Sequence, residues 1–297
     1  MTRHLLDITD LTPGELRQVV SLSVAPPRPL LSGKGVALIF EKPSNRTRHS
    51  MEMAVVQMGG HPVYTRGEEI GLDAREPVED ATRILAGYHA VIAARVFSHS
   101  TVTRMAACSS VPVVNMLSDR SHPLQAVADI ITMREHAGPI DSLRVAWIGD
   151  YNNVARSLAE AVLMLGGSMA FGCPDGFGPD AAETDRLRAI ADRVTTSKDP
   201  VSAVAGANVV HTDTWVSMGQ EAESAERLKM FSGYCVDEKL MSSAAPGARF
   251  MHCMPAYRGK EVSAEVMDGP RSLAIPQGHH RLTAARGVIA FLLEASA

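Results

Sequence analysis

Val36-Ala37-Leu38-Ile39-Phe40-Glu41-Lys42-Pro43-Ser44-Asn45-Arg46-Thr47-Arg48 carries an unbroken apolar run into a turn of hydroxyls and cations. Val36 to Phe40 read as a buried strand, and Met51, Ala54, Val55 and Met58 then recur at helical spacing. Pro43 favours extended backbone just before that helix, and the Ser44 hydroxyl can cap its first turn. Such a strand-to-helix turn aims backbone N–H groups, hydroxyls and guanidinium forks at one place. That suits a phosphate or another small oxyanion, helped by the positive end of the helix. The competing reading is a capped surface helix with solvated arginines.

Outward from this turn, short apolar strands alternate with helices. Residues 8–22 predict a helix with Pro13 near its first turn, and a Pro-rich loop (25–29) leads into the first strand. Strands follow at 61–64, 90–96 and 111–116, separated by helices at 78–87 and 101–107. A helix opens at Ser121-His122-Pro123-Leu124-Gln125 and runs to about Ala137, with His122 and Gln125 on one face. A histidine at a helix start is as readily solvated, or a local cap, as functional. The turn Gly138-Pro139 suggests a boundary, giving domains 1–137, joined by a C-terminal helix 279–297, and 138–278. The second domain predicts strands at 143–150, 169–172, 208–212 and 249–253, with helices from Val154, at 180–193, at 200–206 and up to about Ser243. Alternation of this kind implies an α/β fold of two mainly parallel sheets flanked by helices.

The bulk properties agree with a soluble globular protein. The chain has 297 residues, 45% hydrophobic and 21% charged, with net charge −4, so nothing favours nucleic acid or an anionic membrane surface. No apolar run approaches the roughly 20 residues of a membrane helix, and Asp7 stands where a secretory signal needs an apolar core. Cys108, Cys173, Cys235 and Cys253 lack metal-ligand spacing, which suggests reduced thiols in the cytoplasm and no metal. The turn Asp150-Tyr151-Asn152-Asn153 follows a strand, yet the glycine spacing of a dinucleotide site is absent.

Ligands of open parallel sheets bind at the carboxyl ends of strands. Every polar cluster falls there: 44–48, Arg95, 122–125, 150–153, 213–219 and 252–255. The first half supplies Ser44, Arg46, Thr47, Arg95 and His122. The second supplies Asn153, Asp213, Ser217 and Cys253, a set suited to an amino acid with its ammonium on Asp213. An anion-binding and an amino-acid-binding half imply a two-substrate transfer reaction. Cysteine after an apolar strand is often inert core, but Cys253 stands in a strand-end cluster. Adjacent strand residues point to opposite faces, so Asp213, rather than His252, is the expected partner of Cys253.

These residues match a known pattern. The chain resembles the aspartate/ornithine transcarbamoylases, and within them the ornithine carbamoyltransferases, through nearly its whole length. Ser-x-Arg-Thr-Arg at 44–48 and His-Pro-x-Gln at 122–125 are similar to the family's carbamoyl phosphate site. Asp-x-Trp-x-Ser-Met-Gly at 213–219 and His-Cys-x-Pro at 252–255 resemble its ornithine-specific pair. By this resemblance Ser44, Asn45, Arg46, Thr47 and Arg95 would hold the phosphate. His122, Gln125 and Arg281 would hold and polarise the carbamoyl group, with Met254 adding its carbonyl. Asn153, Asp213, Ser217 and Met218 would grip the α-amino and carboxylate ends of ornithine, with Cys253 near the reacting amine. Asn45 stands where Thr is usual, Met254 replaces Leu, and His279-His280-Arg281 replaces Glu-Asn-Arg. The 67–80 loop also lacks a Lys that aspartate-specific relatives use.

The implied reaction is attack of the δ-amine of L-ornithine on carbamoyl phosphate, giving L-citrulline and phosphate, a step of arginine metabolism that serves either its biosynthesis or its breakdown. Arg46, Arg95, His122, Asp213 and Cys253 would be its catalytic residues. The resemblance further implies no cofactor, a homotrimer and a cytoplasmic enzyme. The rival readings are a transcarbamoylase for another amine, such as putrescine or an acylated ornithine, and a non-catalytic relative that binds these ligands.

Overall fold

The computed structural model describes residues 2–216 and 224–296. The chain divides into two compact units, Met1–Ala128 with His279–Ala297, and Asp129–Gly278. Among the described residues no two cysteines are joined, and no helix is long and apolar enough to cross a membrane.

Unit 1 opens with a 3-10 turn, Ile8–Asp10, and then α1 (Pro13–Val24). The expected single helix over 8–22 is interrupted because Thr12 starts afresh. Its hydroxyl accepts the Glu15 N–H while Glu15 accepts the Thr12 N–H, a capping box with Pro13 at the first helical position. There follow β1 (Gly35–Phe40), α2 (Asn45–Gln57), β2 (His61–Arg66), α3 (Gly67–Ile70) and α4 (Val78–Tyr88). Then come β3 (His89–Arg95), α5 (His99–Cys108), β4 (Val113–Leu117) and α6 (Pro123–His136). The four strands are parallel in the order β2-β1-β3-β4. Apolar runs without alternation predict strands covered on both faces, and Val36 to Phe40 and Val91 to Ala94 are indeed buried.

Unit 2 contains β5 (Arg144–Ile148), α7 (Asn153–Met164), β6 (Ser168–Gly172), α8 (Ala181–Ile190), β7 (Val194–Ser197) and α9 (Pro200–Val204). It continues with β8 (Val209–Thr212), α10 (Ser224–Met230), α11 (Glu238–Ser242), β9 (Arg249–His252) and α12 (Ala264–Met267). Its sheet is parallel with order β7-β6-β5-β8-β9. Strand β7 is absent from the sequence expectation: it lies at the edge, and Val-Thr-Thr-Ser shows no apolar run.

Two boundaries differ from the sequence reading. The units divide inside α6, earlier than the Gly138-Pro139 turn, because Asp129 already bonds within unit 2, accepting from Gln277 Nε2 at 2.7 Å. The last helix, α13 (Ala274–Ala295), starts before His279. Pro276 hides that start in sequence, yet proline is tolerated in a first turn, where its missing N–H has no helical partner to lose. Within unit 1, α13 lies so close to α1 that a Cβ on Gly287 would fall 2.0 Å from Ser23 Oγ.

Candidate active site

In unit 1 the strand order reverses between β1 and β3, and their carboxyl ends are level: Phe40 pairs with Arg95. The Glu41 N–H donates to Arg95 O (2.9 Å) and the Phe97 N–H to Glu41 Oε2 (2.8 Å), which ties the turn to the end of β3. Ser44 caps α2 as expected. Its Oγ accepts the Thr47 N–H at 3.4 Å, and its hydroxyl donates to Thr47 Oγ1 at 3.0 Å. Thr47 Oγ1 also receives Arg281 Nη2 at 2.7 Å and faces Arg95 Nη1 at 3.5 Å. Arg281 Nη1 donates to Gln125 Oε1 at 2.8 Å. Thus Ser44, Thr47, Arg95, Gln125 and Arg281 form one connected cluster, with Asn45 exposed and Arg46 half-buried beside it in α2.

His122 is only 3% exposed, which removes the reading of a solvated histidine. Burial pushes its pKa well below the ordinary 6.5, and the nearby Arg281 and Arg95 push the same way. The ring is therefore neutral near pH 7 and can donate a hydrogen bond without carrying charge. The field that withholds a proton from His122 is the field that would hold an anion. Its loop is fastened from below: Ser121 Oγ donates to Asp7 Oδ1 at 3.0 Å, and Asn115 Nδ2 to Ser118 Oγ at 3.1 Å.

In unit 2 the strand order reverses between β5 and β8. Ile148 pairs with Thr212, and Thr212 with His252, so three strands end level. Asp213 and Cys253, each one residue beyond, consequently meet: the Cys253 thiol donates to Asp213 Oδ1 at 2.9 Å. The Thr214 N–H donates to the same oxygen at 2.8 Å. Asn152 Nδ2 donates to Asp213 Oδ2 at 2.9 Å, while Asn152 Oδ1 caps α7 through the Val154 and Ala155 N–H groups. Asn153, named in the sequence reading, is the first residue of α7. Cap logic, which places the capping side chain just before the helix, singles out Asn152. Ser217 and Met218 lie outside the described residues.

Arg227, absent from the sequence reading, donates through Nε to Trp215 O at 2.7 Å and pairs with Asp150. It packs over Phe177 and Phe231, with ring centroids at 4.9 and 5.5 Å. Ligand atoms of Asp213, His252 and Cys253 lie within 4.8 Å of one another, spacing that could suit a cation. However, His252 Nδ1 accepts the Met254 N–H at 2.9 Å, so its proton sits on Nε2, which faces Glu261 Oε1 at 3.2 Å. Both ring nitrogens are engaged, and the trio does not offer three metal ligands.

Parallel sheets with polar clusters at their switch points define an α/β enzyme scaffold. Residues 3–135 match the model of the aspartate/ornithine carbamoyltransferase carbamoyl-P binding domain, and residues 141–292 that of the Asp/Orn binding domain. The chain is 42% identical to an ornithine carbamoyltransferase of Acidothermus cellulolyticus, covering 100% of this chain and 98% of that one. It is 46% identical to one of Hyperthermus butylicus, with coverages of 98% and 97%. The solved ornithine carbamoyltransferase from Pyrococcus furiosus superposes with TM-score 0.94 at 39% identity, covering 99% of this chain and 97% of that one. The chain belongs to the aspartate/ornithine carbamoyltransferase family.

Proposed function

We propose that this protein transfers the carbamoyl group of carbamoyl phosphate to the δ-amine of L-ornithine, releasing L-citrulline and phosphate. The observation that carries this reading is the cluster on Thr47, whose two guanidiniums help keep the buried His122 neutral. Ser44, Asn45, Arg46, Thr47 and Arg95 hold the phosphate at the α2 N-terminus. His122, Gln125 and Arg281 hold the carbamoyl group, and the Met254 carbonyl accepts from it. Arg46, Arg95 and the neutral His122 stabilise the oxyanion as it develops, and losing one such donor costs on the order of 10²–10³ in rate. Asp213 takes the α-ammonium of ornithine, with Asn153, Ser217 and Met218 on its other polar groups. The neutral δ-amine attacks the carbamoyl carbon, and the carbon–oxygen bond to phosphate breaks. The amine proton passes to the phosphate or to the Asp213–Cys253 pair.

By family resemblance the protein acts as a homotrimer in the cytoplasm, in arginine metabolism. A solution mass equal to the 31.8 kDa of one chain would overturn the trimer. The decisive assay offers carbamoyl phosphate with ornithine, aspartate, putrescine and N-acetylornithine in parallel. Product should form with ornithine alone. Product from another amine instead would overturn the role of Asp213 and its loop.

A further inference from the structure

Gln277, in the first turn of α13, is 0% exposed, as are Asp129, His211 and His252. Its Oε1 accepts the His252 N–H at 2.9 Å, and its Nε2 donates to Asp129 Oδ1 at 2.7 Å. The same Nε2 lies 3.0 Å from His211 Nε2. His211 Nδ1 lies 3.1 Å from the Thr212 carbonyl, which can only accept. The ring proton is therefore assigned to Nδ1, and His211 Nε2 receives the second amide hydrogen of Gln277. Stacking on Trp147, with ring centroids 5.0 Å apart and planes at 21°, holds the His211 ring flat.

One amide thus joins three elements: α6 through Asp129, β8 through His211, and β9 through the His252 backbone. The two strands are those that deliver the paired groups. His211 stands two residues before Asp213, and His252 stands one before Cys253. A carboxylate at position 277 would lose both donations and face Asp129, and an apolar side chain would leave the buried His252 N–H without its acceptor.

We propose that Gln277 is a positioning residue for carbamoyl transfer, its buried amide setting the ends of β8 and β9 so that Cys253 Sγ meets Asp213 Oδ1. It touches neither group and acts through the backbone. The inference rests on the proposed transfer reaction for its kinetic part, so its test includes a readout that needs no turnover.

The test is a double-mutant cycle on the full chain. Gln277→Met should lower kcat with ornithine on the order of 10–100-fold, as expected for a misplaced reacting group, and leave the KM for carbamoyl phosphate unchanged. Combined with Cys253→Ala it should cost no more than Cys253→Ala alone; costs that multiply overturn the proposal. Separately, alkylation of Cys253 by iodoacetamide is followed on its own peptide across pH. Its rate profile should shift in Gln277→Met, and an unchanged profile likewise overturns the proposal. If the wild type does not carbamoylate ornithine, the transfer reading falls and the alkylation profile alone decides about Gln277. Should Gln277→Met fail to fold, Gln277→Asn, which keeps an amide but draws it one methylene back from His252 and Asp129, takes its place in both arms.

Discussion

A hydroxyl oxygen has two lone pairs, yet three donors face Thr47 Oγ1: Arg281 at 2.7 Å, Ser44 at 3.0 Å and Arg95 at 3.5 Å. The longest of these is the weakest bond to that oxygen. The same two cations act on His122. Its folded pKa lies below the unfolded value of 6.5, so below that pH the unfolded chain takes up a proton that the folded chain refuses. Stability is then fully present above about pH 6.5 and falls as pH drops towards the folded value. His4, His89 and His99, also lowered mainly by burial, act with the same sign. Melting temperatures at pH 7.5 and 5.5 should therefore fall less for His122→Asn than for the wild type. Equal falls would show that His122 takes up its proton in the folded state.

At the scale of elements, α1 and α13 meet where only a hydrogen fits. A Cβ at Gly287 would stand 2.8 Å from Ser23 Cα and 2.7 Å from Ser23 N, backbone atoms that cannot swing aside. Ser23 is itself buried, with its hydroxyl donating to Val19 O at 2.8 Å. Gly287→Ala should thus separate the two helices at a cost of about 1–3 kcal/mol, despite the better helix propensity of alanine. Denaturant melts measure this directly, and a variant as stable as the wild type would show that the helices can part freely. Because α13 also carries Arg281, the KM for carbamoyl phosphate should rise in the same variant.

For the whole molecule, every side chain proposed to hold carbamoyl phosphate belongs to unit 1 and every one proposed to hold ornithine to unit 2, so the kinetic damage should divide the same way. Arg46→Ala, in unit 1, should abolish turnover while the thermal melt stays near wild type, since Arg46 is half-buried and makes no ion pair among the described residues. Unchanged activity in that variant would refute the anion-binding turn. Asp213→Asn, in unit 2, should raise the KM for ornithine far more than that for carbamoyl phosphate. Equal effects on both constants would remove Asp213 from the α-ammonium.

Local chemistry determined much of this without any structure. The apolar runs 36–40 and 90–94 leave no polar face for water, so strands buried in parallel sheets follow directly. Ser44 before a helical period is a cap wherever it is placed, and polar residues just past strand ends fall where parallel sheets bind ligands. Tertiary structure decided what depends on partners distant in sequence. Nothing near Gln277 in the chain announces that it holds His252, because the contact joins residues 25 apart through an amide whose value lies in its burial. Thr47 and Arg281, 234 residues apart, meet only because α13 returns to unit 1. Asn152 reaches Asp213 from the cap position, because α7 begins at the second member of the Asn152-Asn153 pair. Periodicity and caps are properties of neighbours along the chain, whereas hydrogen bonds in a buried site are set by strand register, and register exists only once the sheet has formed.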